Sequence, residues 1–147
     1  MDEMQTAELR LPASAFEASA PPLDAARFAY DIDLLGDLRR FIVRHGVAAG
    51  LAKSRVSDLV IAAAELGANS VVHGGGSGEA LAWREPDAIL LETRDAGVIT
   101  DPDVGKVQPP PSQDHGRGLW IVNQVCESVQ IRSSSRGTAV RLRFELG

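Results

Sequence analysis

Residues 65–74 read Glu65-Leu66-Gly67-Ala68-Asn69-Ser70-Val71-Val72-His73-Gly74 and end a stretch whose apolar residues recur at helical spacing. Val56, Leu59, Val60, Ala63, Leu66 and Ser70 fall on one side of a helix that is expected to begin near Ser54, a good N-cap, and to stop at the glycine run 74–76. Spacing of i, i+4, i+8 then places Glu65, Asn69 and His73 on a single stripe beside the apolar one. A carboxylate, an amide and an imidazole so arranged can converge on a ligand. A solvated face of an amphipathic helix carries the same pattern, so the stripe alone leaves both readings open.

Working outward, the residues before this helix predict a strand over 27–32 and a helix from about Asp33, with Leu34, Leu38, Phe41 and Ile42 on its apolar face and Gly46 to Gly50 stopping it. After it come strand-like segments 79–84 and 88–94, joined across Glu85-Pro86-Asp87, whose composition suits a tight hairpin. A helix over 118–127 follows a long loop. Strands at 128–133 and 138–145 close the chain, and in the last of them Thr138, Val140, Leu142 and Phe144 alternate with Ala139, Arg141, Arg143 and Glu145, as in a half-buried antiparallel strand. Strand, helix, helix, strand, strand, helix, strand, strand lacks the regular alternation of a doubly wound sheet, so the fold class is α+β, a layered sandwich.

The chain has 147 residues, 44% of them hydrophobic, enough for one domain with its own core. Fifteen Lys+Arg against 20 Asp+Glu give a formal charge of −5, without the basic footprint of a protein that grips phosphate backbones, so direct nucleic-acid binding is not expected. Residues 1–24 are Ala- and Pro-rich, hold five acids and one base, and read as a flexible acidic tail; residues 25–147, the folded domain, sum to −1. Cys126 is the single cysteine, which excludes an internal disulfide framework and fits a reducing compartment. The strongest apolar run, residues 59–64, is too short for a membrane span, and Met-Asp-Glu-Met is no export signal, so a cytoplasmic location is expected.

Three further stretches carry chemistry. In Asp95-Ala96-Gly97 an acid leaves a strand end and a glycine lets the backbone approach a flat ligand; an ordinary Asp-x-Gly turn looks the same. Gly116-Arg117-Gly118-Leu119 opens the third helix, aiming unpaired N–H groups and the positive dipole end at one spot, as an anion needs; a plain connection is the alternative. Residues 98–115, with Pro102, Gly105, Pro109, Pro110 and Pro111, make a long loop of the kind that serves as a lid or is a loose insertion. Trp83, Trp120 and Cys126, among apolar neighbours, are assigned to packing.

In this order the pieces resemble the ATP-binding domain of the GHKL superfamily, the HATPase fold shared by gyrase, Hsp90, histidine kinases and MutL. The resemblance covers residues 25–147: residues 65–74 look like its N box, Asp95-Ala-Gly97 like its adenine box, His115-Gly116-Arg-Gly118-Leu119 like its phosphate box and Arg136-Gly137-Thr138 like its closing box. Many relatives carry a second glycine shortly after the adenine box, where this chain has Val98-Ile99. Within the superfamily, the short chain and the lack of a phosphoacceptor-helix domain make it most similar to anti-sigma-factor serine kinases of the RsbW and SpoIIAB type.

The resemblance implies a Bergerat-type two-layer sandwich, its sheet mixed but mostly antiparallel, with helices on one face. It implies ATP and Mg²⁺ as cofactors, Asn69 holding the metal through its side-chain oxygen and Glu65 acting as general base. Asp95 would read the adenine amine with Thr138 assisting, and Gly97 would admit the ring. Gly116, Gly118 and the Leu119 amide would cradle the phosphates, with Arg117 and His115 adding charge as the lid closes; His73, at a helix end, fits a cap or packing role. The implied function is that of an ATP-dependent serine/threonine protein kinase, an anti-sigma factor in transcription regulation and stress response. It would bind a sigma factor and phosphorylate a STAS-type anti-anti-sigma factor. The alternatives are a nucleotide-gated anti-sigma module without phosphotransfer and a detached histidine-kinase catalytic domain. No membrane partner is implied, and a homodimer is compatible with the resemblance.

Overall fold

Asp31 ends the first long strand and caps the turn after it. Its carboxylate accepts from the Asp33 backbone N–H at 3.0 Å, turning strand β2 (Ala26–Asp31) into a single 3₁₀ turn (Ile32–Leu34) before helix α1 (Leu35–Ala49) begins. The computed structural model describes residues 7–8, 20–99, 105, 108–110 and 117–147. Within them α1 is followed by α2 (Lys53–His73), the strand pair β3 (Ser77–Glu85) and β4 (Ala88–Asp95), helix α3 (Arg117–Val125), and strands β5 (Ser128–Ser134) and β6 (Gly137–Glu145). A two-residue strand β1 (Ala7–Glu8) lies on β5; most of the remaining tail 1–24 lies outside the described residues.

Two helix signals act differently from expectation. Gly46 lies inside α1 and does not stop it: a Cβ there would come within 3.4 Å of Leu59 Cδ2, so the glycine lets α1 and α2 approach. The stop is Gly50, at φ +90, with Leu51 N–H reaching back to the Gly46 carbonyl at 3.1 Å. Ser54 is not the N-cap of α2. Ala52 holds that position, its carbonyl accepting from Arg55 and Val56 at 2.9 Å each, because the tight turn after Gly50 brings the chain into helix before the Ser54 hydroxyl can cap it.

Among the described residues the strands form one sheet in the order β1-β5-β6-β4-β3-β2, and every pairing is antiparallel. β3 and β4 close on a two-residue turn, Glu85 facing Ala88 across Pro86-Asp87, as the composition predicts. Alternation gives the sheet two faces. Tyr30, Ala80, Ala82, Ile89, Leu91, Val140, Leu142 and Phe144 share one core with Leu38, Phe41 and Ile42 of α1, Leu59, Ala63 and Leu66 of α2, and Leu119 and Val122 of α3. Each large side chain buried there contributes roughly 1.5–3 kcal/mol. The α+β sandwich expected from the element order is the architecture found, with the helices against this face.

The other face departs from the half-buried strand read in the alternation of β6. Leu81, Leu90, Glu92 and Arg141 are all buried on it. Arg141, on the side read as solvent-facing, is buried because it is neutralised: Nε donates to Glu92 Oε1 at 2.8 Å, and its guanidinium lies 5.1 Å from the Trp83 ring centre. Trp83 is thus a half-buried platform for a cation. Cys126 packs at the core margin, and Trp120 is half-exposed on α3. No helix among the described residues is long and apolar enough to cross a membrane.

Candidate active site

The site grows out of two consecutive residues of α2. Asn69 and Ser70 point about 100° apart around the helix axis, as successive helical residues must. Ser70 is buried toward the sheet and Asn69 is half-buried on the neighbouring side, with Glu65 one turn before it. Each side chain meets a different partner.

On the Asn69 side stands the first turn of α3. A Cβ on Gly118 would lie 3.0 Å from Glu65 Oε1 and 3.3 Å from Asn69 Oδ1. Glycine therefore brings the N-terminal backbone of α3 against the carboxylate and amide of α2, and a helix N-terminus there is a place for anionic oxygens. Leu119 is buried beneath, and Gly105, at φ +80, rests on it; the Gly105 carbonyl accepts from Asn123 Nδ2 at 3.1 Å. Arg117 donates to the Pro110 carbonyl at 3.2 Å, so this guanidinium ties α3 to the proline-rich loop. Gly116 and His115 lie outside the described residues, as does most of the loop expected to be a lid.

On the Ser70 side stands Asp95, the last residue of β4. Its Oδ2 accepts from Ser70 Oγ at 2.8 Å and its Oδ1 from the Gly97 backbone N–H at 2.8 Å. Gly74 makes room: a Cβ there would sit 2.3 Å from Asp95 Cγ. Gly97 is pressed on the end of α2, its absent Cβ 2.6 Å from the His73 carbonyl oxygen, while the Ala96 N–H donates to the Gly74 carbonyl at 3.1 Å. His73 itself is exposed at that helix end.

Thr138 closes the other side. It is the cross-strand partner of Asp95, and its hydroxyl donates to the Gly97 carbonyl at 2.8 Å while accepting from Ser133 at 2.7 Å. Ser133 in turn accepts from the Ile99 N–H at 2.7 Å, fixing the chain just past the adenine-box resemblance where Val98-Ile99 replace a glycine. Gly137, at φ +136, has its missing Cβ 2.4 Å from the Asp95 carbonyl oxygen, a contact that glycine alone permits at that backbone angle.

Two groups of the expected residues thus form, Glu65 and Asn69 against Gly118 and Asp95 and Gly97 against Thr138, with α2 joining them, while Arg117 turns to the Pro110 carbonyl and the Leu119 side chain lies in the core. The sequence reading passed over Ser70, Tyr30 and Ser133. The available signal for Ser70 was a polar residue on the otherwise apolar side of α2. Tyr30, the chain's one tyrosine, donates its phenol to Ser70 across 2.8 Å; burial first, and the Asp95 charge as well, push its pKa up to about 12 against the lowering effect of the Ser70 hydrogen bond.

The arrangement fits a nucleotide and a hard cation. Gly118 sets the first turn of α3 beside the Glu65 carboxylate and the Asn69 amide, and Gly97 lets the chain after Asp95 pack on the end of α2. Among the described residues no group of three His, Cys, Asp or Glu gathers to hold a metal ion.

Among curated proteins, none is significantly similar to the chain. The Acinetobacter baumannii histidine kinase AdeS matches it in fold with a TM-score of 0.51 and 13% identity, over 91% of this chain and 73% of that one. Residues 28–144 match the histidine kinase-like ATPase domain family, a range that opens in β2, closes in β6 and takes in Glu65, Asn69, Asp95, Gly118 and Thr138 on the way. With the motifs, the sheet order and the family match agreeing on the GHKL ATPase fold, the chain belongs to the histidine kinase-like ATPase domain family.

Proposed function

We propose that the chain binds ATP with Mg²⁺ and acts as an anti-sigma regulatory factor, a serine/threonine protein kinase that holds a sigma factor and phosphorylates an anti-anti-sigma antagonist. The observation that supports the kinase reading is the approach of Gly118 to Glu65 and Asn69, which sets a carboxylate and an amide beside the first turn of α3. Family membership and the order of the four motifs support the nucleotide; the partner class rests on the resemblance to anti-sigma-factor serine kinases.

In this reading Asp95 accepts a hydrogen bond from the adenine amine, and the ring lies against Gly97. The amides at the start of α3 take the phosphates, and Mg²⁺, held through Asn69, would neutralise phosphate charge. Glu65 takes the proton of a partner serine hydroxyl as that oxygen bonds the γ-phosphorus, the bond from phosphorus to the bridging oxygen breaks, and ADP leaves.

Calorimetric titration of ATP with and without Mg²⁺, followed by phosphotransfer to candidate antagonists, tests this. Saturable binding lost in Asp95→Ala, Mg²⁺ dependence lost in Asn69→Ala, and acid-stable phosphoserine or phosphothreonine on a partner are the expected results. Binding without transfer would leave a nucleotide-gated module, acid-labile phosphohistidine on a partner would make the chain a histidine-kinase catalytic domain, and no binding at millimolar ATP would overturn the nucleotide reading.

A further inference from the structure

The hydroxyl of Ser70 has one proton and three neighbours: Asp95 Oδ2 at 2.8 Å, the Tyr30 phenol at 2.8 Å and the Leu66 carbonyl at 3.2 Å. An ionised carboxylate can only accept, so the Ser70 proton goes to the nearer, charged Asp95 oxygen. Ser70 then accepts from Tyr30, and the direction of the chain is fixed: Tyr30 to Ser70 to Asp95. The phenol can play no other part, because it is 2% exposed and its oxygen occupies the space left by Gly78, where a Cβ would lie 2.5 Å away. A phenol held fully protonated near neutrality is a permanent donor.

The carboxylate is thereby gripped at both oxygens, Oδ2 by Ser70 and Oδ1 by the Gly97 N–H, each bond using about one of the two lone pairs that oxygen offers. What remains on each oxygen is acceptor only. Such an edge welcomes a donor on the base and repels a carbonyl oxygen, and the repulsion holds only while the carboxylate is unable to rotate. Lost donors from within would let Asp95 turn, and a carboxylate free to rotate no longer holds that edge against the carbonyl of a 6-oxopurine.

We infer that Tyr30 and Ser70 are positioning residues that set base selection at this site, holding Asp95 as a fixed acceptor that prefers a 6-aminopurine to a 6-oxopurine. The inference rests on the nucleotide reading above and adds to it two residues, from β2 and from the apolar side of α2, that touch no ligand themselves.

The test compares dissociation constants for ATP and for inosine triphosphate, which keeps the ring and the phosphates and replaces the exocyclic amine with a carbonyl oxygen. The proteins are the full chain, Tyr30→Phe and Ser70→Ala. Removing the Ser70 donor is expected to lower the preference for ATP about tenfold, and removing the phenol about threefold, ATP weakening while inosine triphosphate holds or gains. A merely structural role would weaken both ligands by one factor and leave the ratio unmoved. That result, or no change in either variant, overturns the inference while leaving ATP binding in place. Absence of ATP binding in the unsubstituted chain overturns both the nucleotide reading and the inference. Should Ser70→Ala fail to fold, Tyr30→Phe, which keeps the ring and removes one oxygen, decides the matter alone.

Discussion

Arg141 and Glu92 face each other across the β4–β6 pairing, bonded from Nε to Oε1 at 2.8 Å, with side chains 2% and 0% exposed. Arg94 adds a second bond to the other Glu92 oxygen at 2.6 Å. Removing Arg141 alone leaves the buried carboxylate with Arg94 as its remaining cation partner among those described, so Arg141→Met is expected to lower unfolding free energy in urea by about 2–3 kcal/mol. Replacing both residues with methionine should return most of that loss, since two apolar side chains leave no buried charge. A double variant as unstable as the single one would mean that the pair contributes through packing on Trp83.

Gly118→Ala probes the junction of the two helices. The added methyl would meet Glu65 Oε1 at 3.0 Å and Asn69 at 3.3 Å, both flexible side chains, so the fold should survive while the pair is pushed aside. ATP turnover is expected to fall on the order of tenfold or more, with little change in melting temperature. Unchanged turnover would place the phosphates elsewhere.

Glu65→Gln keeps shape and removes basicity. Phosphotransfer should drop by about 10² or more while ATP affinity is retained, because a general base acts on the transition state and contributes little to ground-state binding. Equal losses in affinity and rate would recast Glu65 as a binding group.

Tyr30 makes a prediction in the alkaline range. Its folded pKa is about 12 against an ordinary 10.0, so the fold favours the protonated phenol; the associated stability is whole below pH 10 and is lost as pH rises toward 12. As the sole tyrosine, it alone supplies the phenolate absorbance. The folded chain should titrate near 12 and the urea-unfolded chain near 10, and Tyr30→Phe should lose part of the alkaline destabilisation.

Much of the fold was legible because it rests on local periodicity. The apolar spacing of α2, the alternation of β6 and the Pro86-Asp87 turn each state their structure within a few residues. The helix ends were less so: Gly46 resembles a stop until Leu59 is known to lie against it, and Ser54 resembles a cap until Gly50 turns the chain early. At the site, residue types at motif spacing marked Glu65, Asn69, Asp95, Gly118 and Thr138. Tyr30 and Ser70 were illegible for a physical reason, since their partnership spans 40 positions and depends on where β2 lies over α2, which no local pattern encodes. Arg141 misled for the same reason, its burial depending on Glu92 in another strand.

Asn69 and Ser70, adjacent in α2, serve opposite ends of the site, one toward α3 and one toward Asp95. Inserting or deleting one residue upstream in that helix would rotate both by about 100° and shift them about 1.5 Å along the axis. Neither partner could follow, since β4 is locked into the sheet and α3 packs on the core. The length of α2 is therefore held more strictly than its composition: its outer positions are open to substitution, but the count of residues between Gly50 and Gly74 is not free to drift.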